Sequence, residues 1–264
     1  MTTSIHALAA NPPSGRKRPL LLDHDAYTTA VIRQGASIPW ANLEALTGFV
    51  QQAHGLLDPD AVWLDTAALY AAFLAEHPDL VTAMGARTRT AYALRTLLND
   101  DEGVALVSRT AIVLAEAARR PVVLSIPSPG RWLALAQAIA GQPVAEVDAD
   151  DADTACMYLA EWLGKLSSVP VALVLLDASG DAAGAAVAAE SLAGCTSITN
   201  VGAHLDWSVA MRRCDDIELA AATVGVLSGS YWSQGGEPPT GDVLVASIPA
   251  DAHPEQVLEH LARL

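Results

Sequence analysis

Positive charge is scarce in this chain. Fifteen Lys and Arg stand against 30 Asp and Glu, a formal charge of -15. Nucleic acid, whose phosphates demand a basic face, is therefore not an expected partner. The acidity by itself reads as a solubility device. Cysteine is also scarce. Cys156, Cys195 and Cys214 are too few and too scattered for a disulfide framework, and no CxxC pair occurs, so a reducing cytoplasm is the expected compartment. Long hydrophobic runs are missing too. Although 52% of residues are hydrophobic and the mean hydropathy is +0.29, no window nears the roughly 18 uninterrupted apolar residues of a membrane span. A soluble protein without a membrane partner follows as the expectation. Residues 1–18 contain Gly15-Arg-Lys-Arg18 but no apolar signal core, and read as a disordered arm. No GxGxxG follows a strand-like run, and neither GxxxxGK[ST] nor GxSxG occurs. The nucleotide-binding loops and the serine-hydrolase elbow are thereby disfavoured.

What is present is a series of short apolar runs, each closing on a polar or small residue. They are Pro19-Leu-Leu-Leu-Asp23, Ala61-Val-Trp-Leu-Asp65, Pro121-Val-Val-Leu-Ser-Ile-Pro127, Pro170 to Asp177, Thr196 to Gly202, and Asp242 to Ser247. Runs of this length without polar alternation suit strands covered on both faces, as in parallel sheets coated by helices. Helix-like stretches separate them: 39–56, two helices over 66–98 broken near Gly85, 131–141, 151–167, 181–193 and 254–264. Val104-Ala-Leu-Val107 suits either a short strand or the start of a helix running to Arg120. Residues 144–148 and Ala220 to Leu227 add further strand candidates. Asp148 to Asp153 places four carboxylates where a helix begins, which complements the exposed amides there; a metal site is the competing reading. With eight or nine strand candidates and no linker or repeat, the expected fold is α/β, a single (β/α)8 TIM-type barrel over residues 19–264.

Three stretches resemble the superfamily of uroporphyrinogen decarboxylase and cobalamin-independent methionine synthase. Arg120 to Gly130 is similar to a family strand that ends in a Gly/Pro turn beneath the substrate site. Val171 to Asp177 is similar to the next core strand, which closes on an acidic residue. Asn200-Val-Gly-Ala-His204-Leu-Asp206 is similar to the strand end where zinc-using members carry His-x-Cys. The likeness spans residues 58–264 and implies a β/α barrel. The chain departs from it where Asp206 replaces the zinc-binding Cys. The arginine-rich signature near the amino terminus is absent, unless Arg16 and Arg18 are its remnant.

In a barrel, strand-end residues share one mouth, here Asp23, His24, Asp65, Ser125, Asp177, His204 and Asp206. Histidines and carboxylates gathered there suit general acid and base work. His204 is the leading catalytic candidate, with Asp177, Asp206 and His24 beside it, each also readable as a hydrogen-bonded structural group. Asp65, Ser125, Trp207, Tyr231 and Trp232 are the candidates for substrate contact. Trp40, Trp207 and Trp232 read either as pocket wall or as lids on the core, and the Ser228 to Gly236 loop reads as a mobile cover. The expected activity is metal-independent lyase chemistry, decarboxylation or elimination, on a small organic acid, without a cofactor. One alternative is zinc-dependent methyl or alkyl transfer to a thiol with His204, Asp206 and Cys214 as ligands. The other is a catalytically inactive barrel serving as a binding or assembly partner. The Ala-rich helices suit equally a monomer's coat or a homodimer interface.

Overall fold

The computed structural model describes residues 4–214, 216–220 and 222–264. Along the chain run α1 (Ile5–Ala10), β1 (Leu20–Asp23), α2 (Asp25–Val31), α3 (Leu43–Leu57), β2 (Val62–Asp65), α4 (Thr66–Glu76), α5 (Pro78–Met84), α6 (Tyr92–Leu98) and α7 (Asp101–Ala118). There follow β3 (Val122–Pro127), α8 (Pro129–Ile139), β4 (Glu146–Val147), α9 (Ala149–Lys165), β5 (Val171–Asp177), β6 (Ala186–Val187), α10 (Thr196–His204) and β7 (Ser208–Arg213). The chain ends with β8 (Asp216–Leu219), β9 (Val224–Leu227), α11 (Tyr231–Gln234), β10 (Val243–Ser247) and α12 (Pro254–Leu261). No helix among the described residues is long and apolar enough to cross a membrane.

Two larger sheets result, ordered β1-β10-β9 and β2-β3-β5-β7-β8, with every pairing parallel except β7 with β8; β4 and β6 form a separate short pair. This is an α/β architecture with parallel-dominated sheets. Among the described residues the ladders do not join into one closed ring. Where β1 and β2 begin, the contact is a seam: the Asp60 N–H donates to Leu20 O at 2.9 Å, and the Leu20 N–H donates to the Asp60 carboxylate at 2.8 Å.

Side chains alternate across a strand, and the burial pattern follows that alternation. Leu21, Trp63, Val123, Leu173, Leu175, Ala210, Ile217, Val243 and Val245, drawn from both sheets, form one apolar cluster. Their strand neighbours point the other way. Val62, Leu64, Val122, Leu124 and Val174 pack under α3 to α10, and Leu20, Leu22, Leu244 and Ala246 pack under α11 and α12. Apart from Thr196 to Gly202, the continuous apolar runs are thus strands covered on both faces, as the sequence suggests.

Several expectations are corrected. Residues 4–18 are not a disordered arm. Ser4 caps α1, and Ile5 and Leu8 are buried in the cluster shared by the two sheets. Buried Asp60 ties the segment down further, accepting from Ser14 N–H at 2.7 Å and from Ser14 Oγ at 3.0 Å. The Thr196 to Gly202 run is helical, because its apolar residues Ile198 and Gly202 meet the core at helical spacing while Thr199 and Asn200 do not. The segment 181–193 is turns around β6 in place of a helix, and Val104 to Val107 lies inside α7. β7 and β8, by contrast, went unread in the sequence. The 66–98 stretch contains three helices: Pro78 starts α5 afresh after His77, consistent with its missing N–H.

Candidate functional site

The inward parity of each strand carries on past the apolar cluster to its carboxyl end. Leu21 is followed on the same face by Asp23, Trp63 by Asp65, Val123 by Ser125, Leu175 by Asp177, Ala210 by Arg212 and Val245 by Ser247. The registers align these ends, with Asp23 opposite Ser247, Asp65 opposite Ser125, and Asp177 opposite Arg212. Asp23, Asp65, Ser125, Asp177 and Arg212, with Asp25 from α2 and Arg131 from α8, line a cavity of about 280 Å³ floored by Trp63.

Two chains of polar contacts organise it. Arg131 Nη1 donates to Asp177 Oδ2 at 3.1 Å and to the Asp177 carbonyl at 3.1 Å, while its Nε donates to Asp181 O at 3.0 Å. On the opposite side Arg212 Nη2 donates to Ser247 Oγ at 3.2 Å, and Ser247 Oγ donates to Asp23 Oδ2 at 3.2 Å. Asp65 caps α4 by accepting from Ala68 N–H at 3.0 Å.

Burial dominates the electrostatics. Desolvation raises the carboxyl of Asp23, opposed by the Asp25 N–H and by Arg212. It raises that of Asp65 as well, opposed by the first amides of α4 and by Arg131. Asp25 is pushed well above the usual carboxylate range, by burial first and then by the charges of Asp23 and Asp65. All three shifts favour the protonated carboxyl, the form that can donate a proton, and the shift is strongest at Asp25.

The positions of the sequence candidates divide sharply. Asp23, Asp65, Ser125 and Asp177 are in the cavity wall. His24 is adjacent to it but buried behind Asp25, with Nδ1 at 3.6 Å from Asp25 Oδ1 and at 3.4 Å from Thr28 Oγ1. Burial lowers its pKa to about 4, so it is neutral at physiological pH. His204 and Asp206 are exposed at the end of α10, where the chain enters the amino end of β7. That is the opposite rim from the cavity. Trp207 shares this rim, lining a separate depression with Ser4 and His6.

The zinc set His204, Asp206 and Cys214 does not converge. Asp206 precedes β7 and Cys214 follows it, and at about 3.3 Å per residue a six-residue strand holds them about 20 Å apart. Among the described residues no group of three or more His, Cys, Asp or Glu is placed to share a metal ion. Tyr231 and Trp232 are buried in α11, and Trp232 Nε1 donates to Ser247 O at 2.9 Å. They support the site from behind and do not touch its cavity, and the Ser228 to Gly236 segment is packed on the core through them. Arg16 and Arg18 bond to Asp58 O and Pro239 O, respectively, on the amino side of β1. They lie away from the mouth.

Sequence reasoning missed Arg131, Arg212 and Asp25, the last of which follows the strand end at His24. Arg212 ends the apolar run Val209-Ala-Met211, the same signal that marked the other strand ends. It was hidden by assigning the strand to 196–202. Arg131 reaches the cavity from a helix, and no sequence signal distinguishes it. No family model, no curated protein and no solved structure matches this chain.

Proposed function

We propose that the cavity performs acid/base lyase chemistry, decarboxylation or elimination, on a small organic acid. The observation that carries this reading is the pairing of two guanidinium groups, Arg131 and Arg212, with the half-buried carboxyls of Asp23, Asp25 and Asp65 in one cavity of about 280 Å³. Guanidinium forks hold a carboxylate in fixed geometry. Asp25, the most strongly raised carboxyl, is the proton donor, and Asp65 or Asp23 is the base. In a decarboxylation, the C–C bond to the departing CO₂ breaks. The electron pair left on carbon takes the Asp25 proton, and the carboxylate of Asp25 is reprotonated from solvent. In an elimination, the base removes a proton while Asp25 protonates the leaving group.

The same reading takes the two sheets as halves of one (β/α)8-type barrel, with seams between β1 and β2 and between β8 and β9. Three features support it: the cluster shared by both sheets, the ring of strand-end polar groups, and the likeness in Arg120 to Gly130 and Val171 to Asp177. Chemistry at the carboxyl ends of parallel strands is what such folds provide.

The test is a panel of small mono- and dicarboxylic acids, scored by thermal shift and by release of CO₂ or of an alkene. At least one acid should stabilise the protein and be turned over. Arg212→Gln should lose the stabilisation, whereas Asp25→Asn should keep binding and lose turnover. If no acid binds, or binding survives loss of both arginines, the reading fails.

A further inference from the structure

The segment between β5 and α10 is a strap tied to the start of α8, whose Arg131 lines the cavity. Arg131 holds its first part through Asp181 O. Gly180 lies so close to this guanidinium that a Cβ there would meet Arg131 Nη2 at 2.0 Å. Further on, Glu190 accepts from the Gly130 N–H at 2.9 Å and from Ser128 Oγ. The strap ends at Cys195, the residue before α10. There its sulfur is 3.4 Å from that of Cys156, on α9. Both cysteines are buried, Cys156 at 3% and Cys195 at 2% exposure, in the core beneath the helices. They are 39 residues apart in sequence, so the fold alone makes them neighbours.

We propose that Cys156 and Cys195 are a disulfide-forming pair that, on oxidation by a hydroperoxide, staples the strap to α9. The sulfurs need to close from 3.4 Å to about 2 Å, a shift within reach of side-chain rotation and small backbone movement. Cys156 donates its S–H to Cys195 and is buried, which holds its thiol protonated well above the ordinary range. Cys195 therefore reacts first, when the strap opens locally. Its sulfur attacks the hydroperoxide, cleaving the O–O bond to give a sulfenic acid and an alcohol, or water from hydrogen peroxide. The Cys156 sulfur then displaces the hydroxyl, and the departing hydroxide takes the Cys156 proton as water. Two thiols are oxidised by two electrons and one peroxide bond is reduced. This step is independent of the lyase reading.

The experiment uses Cys214→Ser protein, which removes the exposed thiol and leaves the pair. Hydrogen peroxide should take the thiol count in denaturant from two to zero and lower the intact mass by about 2 Da, the two hydrogens lost on forming the bond. Peptide mapping should show 156 linked to 195, and dithiothreitol should reverse the change. Closing a loop of this length should raise Tm by about 10 °C. Cys156→Ala in the same background should instead gain oxygen without a cross-link. Two free thiols remaining after treatment of the folded protein, or oxygen addition to both without a link, overturns the proposal.

Discussion

Asp25 concentrates the tension in this molecule at the scale of a single residue. Its carboxyl is raised by burial, by Asp23 and by Asp65, so the folded state binds its proton more tightly than the unfolded state. The stability it contributes is present below the unfolded value of 3.8 and is lost as pH rises through the folded value. At neutral pH it is a net cost, as functional groups often are. Asp25→Asn, close in shape and always neutral, should therefore raise Tm at pH 7 by a few °C, with the gain shrinking towards pH 4. Thermal unfolding at the two pH values checks this, and a lower Tm at pH 7 would show that Asp25 is ionised and well solvated. At this scale the sequence was informative wherever a strand ended in an acid. Asp23, Asp65 and Asp177 were legible because an apolar run closing on Asp marks a buried strand that reaches a polar rim. His204 was not, because a helix and a strand with the same apolar content carry different residues to the rim.

At the scale of elements, α1 shows how little length says about importance. Six residues are too few for a stable isolated helix. Its persistence rests on Ile5 and Leu8 packing against Leu21, Trp63 and the other residues of the cluster shared by the two sheets. Ile5→Ala should destabilise the protein by about 2–4 kcal/mol, measured as a shift of the urea midpoint at constant slope. A loss under about 0.5 kcal/mol, the size of an ordinary surface change, would mean that α1 does not seal the core. The sequence hid this helix because six residues are too short a window for a helical period to stand out and the residues that follow are Pro, Gly and basic. It misassigned α10 for a related reason. Thr196-Ser-Ile-Thr favours strands locally, yet Gly202 allows close packing on Trp207 and Val209, where a Cβ would come 2.6 Å from Val209 Cγ2. Tertiary contact outweighs a local preference worth a few tenths of a kcal/mol per residue.

For the whole molecule, acid stability should depend on two histidines that meet edge to face, buried His24 and half-buried His54, with ring centroids 6.1 Å apart. Burial lowers His24 to about 4. Burial, His24 and Arg120 lower His54 to about 3. Their folded values lie below the unfolded 6.5, so between these limits the unfolded chain binds more protons. Stability is full above about pH 6.5 and is lost as pH falls towards 4, with His24 alone accounting for about 3 kcal/mol. Asp23, Asp25 and Asp65 act in the opposite sense and offset part of the loss. His24→Gln/His54→Gln should flatten the decline in urea-unfolding free energy between pH 7 and pH 4. An unchanged pH profile would assign the acid sensitivity to other groups.

The α/β class and most of the strand ends were determined by the chain itself, because an unalternating apolar run is stable only when covered on both faces, whatever surrounds it. The capped start of α9 at Asp148 was equally local, since a carboxylate and the amides it satisfies are three residues apart. Only the tertiary structure decided which side chains meet. Arg131 and Arg212 join the acids, His204 and Asp206 go to the far rim, and Cys156 finds Cys195. Those outcomes depend on register, strand parity and the direction of entry into each strand. A shift of one residue or one element reverses which face a side chain occupies, and nothing in the local sequence fixes that choice.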